Sequence, residues 1–283
     1  MITQIKKCRI CSNTDLVPVV DLGEQYLTGI FPSHKAETLA KGPLRLMKCH
    51  GGENVCGLLQ LEHNYDLNQL YGENYGYRSG LNASMVSHLH SKVATIIERC
   101  DLNKGDLVID IGSNDGTTLA AYPNHLQLVG IDPTGEKFGI FYEKHIVLIP
   151  EFFCSDLVTS SYPGKKAKVV TSFSMFYDLE DPVDFVCQVA AILDPHVGIW
   201  VLEQSYMPLM LERTAYDTIC HEHLEYYGLK QIVWLMGKAG LEVVDVELND
   251  VNGGSFSVIV AHKGSRHADV DNMADRLIAS EIS

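Results

Sequence analysis

One short stretch constrains the fold more than any other part of the sequence. An apolar run from Leu107 leads into Asp110 and then into a turn that contains Gly112 and Gly116. About twenty residues further on, a second apolar run ends at Asp132. A buried strand, a tight glycine turn, a helix start and an acid at the end of the next strand form the front half of a nucleoside-binding α/β sheet.

The spacing of the two glycines favours one class of ligand. The turn reads Gly112-Ser-Asn-Asp-Gly116, so it lacks the GxGxxG pattern of dinucleotide-binding enzymes. Such a turn suits a nucleoside with a cationic or amino-acid tail better than a pyrophosphate. An NAD-dependent enzyme is the alternative nucleotide-binding fold.

Residues 105–202 alternate between predicted strands and helices, which indicates a mostly parallel sheet with helices on both faces. Two more strands, at 241–248 and 256–262, flank the glycine-containing connection 249–254, which predicts an antiparallel hairpin. An α/β sheet closed by such a hairpin is the plan of a class I S-adenosylmethionine methyltransferase, a Rossmann-like fold. The predicted strands of the parallel part are 107–111, 127–131, 146–149, 169–172 and 199–203, and the predicted helices are 117–121, 135–141 and 183–193.

The turns after these strands supply the candidate cofactor ligands, because a nucleoside lies over the carboxyl ends of the first strands in such folds. Asp110 is predicted to orient the ammonium of the amino-acid tail, and Asp132 to accept hydrogen bonds from the two ribose hydroxyls. Glycine in the first turn allows the backbone to approach the ligand closely. The full set of candidate cofactor-binding residues is Asp110, Gly112, Asn114, Gly116, Asp132, Ser172 and Phe173.

Four of the eight cysteines lie in the first fifth of the chain, which favours a metal site over disulfides. Cys8 and Cys11 form a CxxC knuckle, and Cys49 and Cys56 form a more widely spaced pair. We predict that these four thiolates bind a structural zinc ion, with His50 as an alternative ligand. A module of about sixty residues with few large apolar side chains needs such support to fold. Four unconnected thiols are the other interpretation.

The predicted domain organisation has four parts. Residues 1–62 form a zinc-binding N-terminal domain, 63–104 a helical linker or lid, 105–265 the methyltransferase domain, and 266–283 the start of a missing or truncated C-terminal domain. Within the linker, apolar spacing predicts a helix at 82–98. The glycine-containing stretch 71–80 before it carries three tyrosines, which suits a loop over a ligand; a packed surface loop is the alternative.

A second dense segment, residues 216–227, contains His221-Glu222-His223 next to Cys220. Its spacing differs from the HExxH motif of zinc proteases. Two histidines that flank a glutamate offer a candidate general base. A polar, hydrogen-bonded helix end is the alternative interpretation.

Taken in chain order, six motifs of this sequence together resemble those of the sugar C-methyltransferase family, whose members methylate C-3 of deoxysugar nucleotides. The resemblance covers nearly all of the chain. It implies a zinc-binding N-terminal domain, a central S-adenosylmethionine domain and a C-terminal domain that helps to hold the nucleotide; this chain ends where that last domain would begin. The motifs are the CxxC knuckle, Cys56-Gly-Leu-Leu-Gln-Leu61, Tyr77-Arg78-Ser79-Gly80, Asp110-Ile-Gly-Ser-Asn-Asp-Gly116, Tyr216-Asp-Thr-Ile-Cys-His-Glu-His223 and Asn252-Gly-Gly-Ser255.

The resemblance also implies catalytic roles. A 4-keto group makes the neighbouring C–H acidic, and a base removes this proton to give an enolate that attacks the methyl group. By resemblance, His223 is the base, Glu222 orients it or contacts the sugar, and Tyr77 contacts the sugar or the enolate.

Two positions depart from the family. Cys220 stands where family members often carry tyrosine. The segment after the fourth strand lacks their histidine and leaves Tyr177 or Asp178 for that role.

Three functions are therefore open. The first is S-adenosylmethionine-dependent C-methylation of a keto-deoxysugar nucleotide. The second is O- or N-methylation of another small acceptor, and the third is a non-catalytic cofactor-binding protein.

Charge and hydropathy narrow the possible partners and location. A formal net charge of −14 argues against a nucleic-acid partner. No apolar run approaches the length of about eighteen residues that a membrane span needs. The N-terminus lacks the apolar core of a signal peptide, so we predict a cytoplasmic protein. The sequence does not predict the oligomeric state.

Overall fold

The computed structural model describes residues 2–31, 34, 39–72, 75–267 and 273–282. The strands of these residues are β1 Thr3–Gln4, β2 Leu16–Tyr26, β3 Lys41–Cys49, β4 Leu59–Leu61, β5 His63–Asn64, β6 Leu107–Ile111, β7 Gln127–Ile131, β8 Ile146–Ile149, β9 Ala167–Phe173, β10 Ile199–Ser205, β11 Glu225–Tyr226, β12 Leu241–Asn249 and β13 Ser255–His262. Their α-helices are α1 Leu67–Leu70, α2 Ala83–Arg99, α3 Thr117–Ala120, α4 Gly135–Phe138, α5 Ser155–Ser161, α6 Pro182–Ile192, α7 Met207–Glu212, α8 Leu229–Lys238 and α9 Met273–Ile282. Short 3-10 helices lie at Ser79–Leu81, Gly139–Phe141, Phe176–Asp178 and Val251–Gly253.

The central sheet has the strand order β12-β13-β10-β9-β6-β7-β8 in the described part of the chain. Strands β6 to β10 pair in parallel, whereas β13 is antiparallel to both β10 and β12. This confirms the predicted parallel sheet closed by an antiparallel hairpin, which is the class I methyltransferase plan.

The chain order of the strands reverses at β6, which lies between β7 and β9. At such a reversal the loops leave the sheet in opposite directions, and a cleft opens at the carboxyl ends of the strands. Asp110 lies near the end of β6, and Asp132 follows β7 directly. The topology therefore brings both predicted acids to this cleft.

Each face of the sheet is covered by helices because the strands are apolar on both sides. On one face Val108 and Val169 pack with Val93 and Ile96 of α2. On the other face Trp200 joins a larger cluster with residues of α6 and α8. The predicted helix 135–141 is interrupted, and it continues after α4 as a 3-10 turn that begins at Gly139, a poor helix former.

The N-terminal part forms a second, antiparallel sheet with the order β11-β4-β3-β2. Strand β11 comes from residues 225–226, far along the chain, so this sheet is completed by the segment that contains His221-Glu222-His223. Residues from both parts share one apolar cluster, in which Leu61 packs with Leu224 and Tyr226. The predicted domain boundaries stay predictions.

Helix α9 lies in the predicted segment 266–283, of which 268–272 and 283 lie outside the described residues. It packs on α8, where the Glu281 carboxylate accepts hydrogen bonds from the backbone N–H of Leu229 and the hydroxyl of Tyr206, each at 2.6 Å. Across the described residues, none of the helices has the length and apolar character to cross a membrane.

Candidate active site and metal centre

A cavity of about 350 Å³ opens at the carboxyl edge of the central sheet. Its floor comes from the turns that follow β6 and β7, and one wall comes from the segment that follows β9. The loop and helix between β5 and β6 cover the opposite side. A cavity of this size and position is typical of a small-ligand site.

Asp110 lines the floor of the cavity and is almost fully buried. Its Oδ1 accepts a hydrogen bond from the hydroxyl of Thr171 at 2.5 Å. Burial raises the pKa of Asp110 to about 7, against the opposing effect of that hydrogen bond. A cationic ligand group beside Asp110 would offset this desolvation, so the carboxylate fits the predicted ammonium partner.

Asp132 is held in place by the backbone of two turns. Its Oδ2 accepts a hydrogen bond from the backbone N–H of Asn114 at 2.7 Å, and its Oδ1 accepts from the N–H and the hydroxyl of Thr134 at 2.7 and 2.5 Å. A carboxylate oxygen accepts two hydrogen bonds, so Oδ2 retains capacity for a ligand hydroxyl. This geometry is compatible with the predicted ribose contact.

The two glycines of the first turn have different surroundings. Gly112 lines the cavity with φ of 73°, and a Cβ there would lie 2.9 Å from the Met175 side chain. Gly116 begins α3 with φ of 79° and packs on the Tyr142 ring, away from the cavity lining. Gly112 therefore permits close approach of a ligand, while Gly116 serves the turn itself.

Phe173 lines the cavity, but its neighbour Ser172 does not. The Ser172 side chain is fully buried, and its hydroxyl accepts a hydrogen bond from the indole N–H of Trp200 at 2.8 Å. Ser172 therefore does not border the cavity, in contrast to the position that the sequence predicted. Successive residues of a strand point to opposite faces of the sheet. The Ser172 side chain points to the face on which Trp200 lies.

The sequence prediction missed several apolar side chains of the cavity, among them two pairs. Phe152 and Phe153 follow β8, and Met85 and Leu89 lie on α2. The first pair had a signal, because β8 neighbours β7 and its carboxyl end meets the same sheet edge. For Met85 and Leu89, the sequence signal was limited to the apolar face of a helix.

The loop 77–80 is tied to the turn after β6. The Asn114 side chain donates to the backbone carbonyl of Tyr77 at 3.2 Å and accepts from the N–H of Ser79 at 2.9 Å. Asp115 accepts from the N–H of Gly80 at 2.9 Å and pairs with Arg78 at 3.1 Å. Tyr77 lines the cavity and is 46% exposed, so the predicted lid lies over the site; Glu73 and Asn74 of this stretch lie outside the described residues.

Phenols and acids form a further part of the cavity lining. Tyr71, Tyr75 and Tyr77 all contribute to the lining. The Tyr71 hydroxyl donates a hydrogen bond to Oδ2 of Asp178 at 2.8 Å. Of the two residues offered by the sequence for this position, Asp178 lines the cavity and Tyr177 does not.

His223 and Glu222 lie behind the cavity wall and do not line it. The His223 ring packs on Tyr177 with 4.0 Å between ring centroids, and its Nδ1 donates to the backbone carbonyl of Thr218 at 2.8 Å. Burial lowers the pKa of His223 to about 4, so the ring is neutral with Nε2 free to accept a proton. Burial raises the pKa of Glu222.

Four cysteine sulfurs gather at the edge of the N-terminal sheet. The Sγ atoms of Cys8, Cys11, Cys49 and Cys56 all lie within 4.8 Å of one another, with 3.4 Å between Cys8 and Cys56 and 3.5 Å between Cys11 and Cys49. A zinc ion with bonds of about 2.3 Å needs sulfurs separated by about 3.8 Å. The arrangement fits a structural zinc ion with four thiolate ligands. His50 is turned away, with its Nδ1 3.1 Å from the Asp15 carboxylate.

The metal centre is linked to the segment that carries His223. Arg9, inside the CxxC knuckle, lies with its Nε 3.5 Å from the buried Glu225 carboxylate. The Gln231 side chain donates to the backbone carbonyl of Cys56 at 2.7 Å. The zinc module and the segment 221–231 are therefore held together by polar contacts as well as by β4 and β11.

Two family models match the chain. A zinc binding domain matches residues 8–71, and a methyltransferase domain matches residues 85–246, which is more than half of the chain. Together they cover the four cysteines and most of the cavity lining, but not the loop 75–80.

Similar proteins include the C-methyltransferase NovU of Streptomyces niveus. It is 30% identical over 289 residues, which span 100% of this chain and 67% of the relative. Among solved structures, a chain from the complex between the Haloferax volcanii Trm112 methyltransferase activator and a methyltransferase has a TM-score of 0.51 at 16% identity. That match covers 65% of this chain and 94% of the other, and it bears on the fold alone.

Proposed function

Because the chain belongs to the methyltransferase-domain family, we propose that it transfers a methyl group from S-adenosylmethionine to a carbon of a keto-deoxysugar nucleotide. Carbon as the target is supported by the relative whose name is C-methyltransferase. A cytoplasmic location, where cysteines stay reduced and can bind zinc, accords with this function.

The observation that carries the proposal is a cavity with two chemically different ends. Asp110 and Asp132 lie at the ends of neighbouring strands, where they suit the ammonium and ribose groups of the cofactor. Tyr71, Tyr75 and Asp178 line the same cavity, and we propose that they form its acceptor end, where neutral donors suit the oxygens of a sugar. Methyl transfer needs both ligands in one cavity with their reacting atoms in contact.

The cavity also limits which part of the acceptor enters. Among its described lining residues there is no lysine, arginine or histidine. A diphosphate inside the cavity would have no cationic partner. We propose that the keto sugar enters while the nucleotide stays outside.

His223 is the proposed base. With Nδ1 donating to Thr218, its Nε2 can take the proton next to the keto group, while the C–H electron pair forms the enolate double bond and the carbonyl pair moves to oxygen. When bound, S-adenosylmethionine supplies an electrophilic methyl group, and the C–S electrons return to sulfur as the new C–C bond forms. His223 lies behind the wall at Tyr177, so the acceptor must extend beyond the described cavity towards it. Glu222 next to it is proposed to orient the base or contact the sugar, and Tyr77 the sugar or the enolate.

The test is a reaction of the purified protein with S-adenosylmethionine and dTDP-linked 4-keto-deoxyhexoses, followed by NMR of the product. A new methyl group on a ring carbon would support the proposal. A methyl group on oxygen or nitrogen would replace it with the second function that the sequence allows. Binding of S-adenosylhomocysteine by calorimetry without turnover of any keto sugar would indicate a non-catalytic protein.

A further inference from the structure

Tyr71 has no role in the mechanism that the sequence implies, and Asp178 enters it only as one of two replacements for the histidine of family members. Both side chains line the acceptor end of the cavity, and they are joined by the 2.8 Å hydrogen bond from the Tyr71 hydroxyl to Oδ2. The other carboxyl oxygen, Oδ1, is shielded from solvent and has no hydrogen-bond partner among the described residues. A buried polar atom without a partner is costly, and it is unusual outside functional sites.

The surroundings of the pair favour the protonated form of both groups. Burial raises the pKa of Asp178 well above its usual range, and the nearby Glu222 adds to this effect. Burial and the neighbouring Asp178 act in the same direction on the pKa of Tyr71. With no basic side chain in the described cavity lining, nothing there favours the ionised carboxylate.

Counting protons shows what the pair lacks. A neutral carboxyl and a phenol carry two acidic protons, and one of these occupies the hydrogen bond between them. Because Oδ1 is shielded from solvent, the proton that can reach a ligand is the hydroxyl proton of Tyr71, once the neutral carboxyl group donates to the Tyr71 oxygen. The missing partner is therefore an oxygen with free lone pairs, such as a carbonyl or an enolate.

We propose that Tyr71 and Asp178 together bind the carbonyl oxygen of the acceptor and stabilise the negative charge that develops on it. This inference rests on the proposed function and assigns it a further catalytic pair. Donors aimed at a developing oxyanion in a water-poor site are among the strongest catalytic devices.

The pair also complements the proposed base. His223 is held neutral and ready to accept a proton, whereas Asp178 is held neutral and ready to donate a hydrogen bond. They are linked through Tyr177, which directly precedes Asp178 in the chain and packs on the His223 ring. Environments that push two titratable groups in opposite directions mark the base and the acid of a site.

The chain offers a matched control for the tyrosine substitution. Tyr206 is also buried, and its hydroxyl donates to the Glu281 carboxylate at 2.6 Å, but it lies away from the cavity lining. Tyr206→Phe thus removes the same kind of bond at a distance from the proposed reaction.

The experiment measures enolate formation separately from methyl transfer. Wild-type protein and the variants Tyr71→Phe, Asp178→Asn and Tyr206→Phe are incubated in D2O with S-adenosylhomocysteine and a saturating dTDP-4-keto-deoxyhexose. NMR then follows exchange of the proton next to the keto group. Methyl transfer with S-adenosylmethionine and the S-adenosylhomocysteine dissociation constant are measured in parallel.

We expect exchange and kcat in Tyr71→Phe to fall together by about 100-fold, with an unchanged cofactor dissociation constant and near wild-type rates in Tyr206→Phe. Asp178→Asn keeps a donor and should lose less than Tyr71→Phe.

A raised sugar KM with unchanged kcat and exchange in both cavity variants would overturn the inference, as would equal losses in Tyr206→Phe. Absence of exchange in wild-type protein that still binds S-adenosylhomocysteine would overturn the proposed function and this inference together.

Discussion

The two ends of the cavity are built in different ways. The proposed cofactor end comes from one continuous stretch, because Asp110 lies near the end of β6 and Gly112 and Asp132 follow β6 and its neighbour β7. The acceptor end combines the loop that carries Tyr71 with Asp178, and His223 approaches it from behind. The comparison shows that the sheet determines the cofactor site, whereas packing between distant segments determines the acceptor site.

That packing depends on the zinc module. Strand β11 pairs with β4, and the N–H of Leu61 donates to the carbonyl of Leu224 at 2.8 Å. The N–H of His221 donates to the Thr28 hydroxyl at 2.9 Å. The module therefore supports the segment 221–227, whereas among the described residues its hydrogen bonds reach neither β6 nor β7.

The largest effect should come from the proposed base. His223→Ala should reduce methyl transfer by about 10²- to 10⁴-fold, because it removes the proposed proton acceptor. The dissociation constant of S-adenosylhomocysteine, measured by calorimetry, should stay near the wild-type value. The exposed His125 serves as the control position. Wild-type turnover in His223→Ala would remove His223 as the base.

Removal of the metal should impair the acceptor end of the cavity and leave cofactor binding unchanged. Chelation of zinc should lower methyl transfer by about 100-fold, because a module of this size loses its fold without its metal. S-adenosylhomocysteine should still bind, and added zinc should restore transfer. Cys11→Ser should behave like the chelated protein, whereas replacement of the exposed Cys187 should have little effect. A parallel loss of cofactor affinity would contradict the proposed independence of the cofactor end.

Asp132→Ala tests the cofactor end of the cavity, where the loss should appear in cofactor binding. Loss of hydrogen bonds to a carboxylate should weaken S-adenosylhomocysteine binding about thirtyfold. The matched control is Asp106→Ala, which removes a carboxylate before the start of β6 that pairs with Lys168 at 2.7 Å. An unchanged dissociation constant in Asp132→Ala would refute the ribose assignment.

The smallest effect concerns pH. Since burial raises the pKa of Asp110 to about 7, its carboxylate becomes available to the ligand ammonium only as pH rises through that value. Cofactor affinity should increase up to about tenfold between about pH 6 and about pH 8. The stability of the ligand-free protein should instead fall as pH rises towards 7. A raised pKa of the Asp110 carboxyl group makes folding less favourable over this range.

Calorimetry and thermal unfolding of wild-type and Asp110→Asn protein measure both trends. The variant should lack the pH dependence of affinity. The same slope in both proteins would assign the titration to another group.

The strands that carry the proposed cofactor end were predicted correctly for a physical reason. The bounds of β6, β7 and β8 follow from apolar runs that end in turn residues, and the sheet edge then places the acids. The Ser172 placement failed because strand alternation alone does not show which face holds the ligand. The bond between Tyr71 and Asp178 spans 107 positions and arises from tertiary packing, which no local pattern encodes.

The acidic lining of the cavity distinguishes the ligand that enters from the ligand that leaves. Asp132 and Glu180 accompany Asp110 there, and the described lining contains no basic side chain to balance them. S-adenosylmethionine carries a sulfonium cation, whereas its product is an uncharged thioether. An acidic surface attracts the cation more strongly than the uncharged thioether. Methyl transfer therefore lowers the affinity for the product, which favours its release before the next S-adenosylmethionine binds. Tighter binding of S-adenosylhomocysteine than of S-adenosylmethionine at low salt would argue against this electrostatic release.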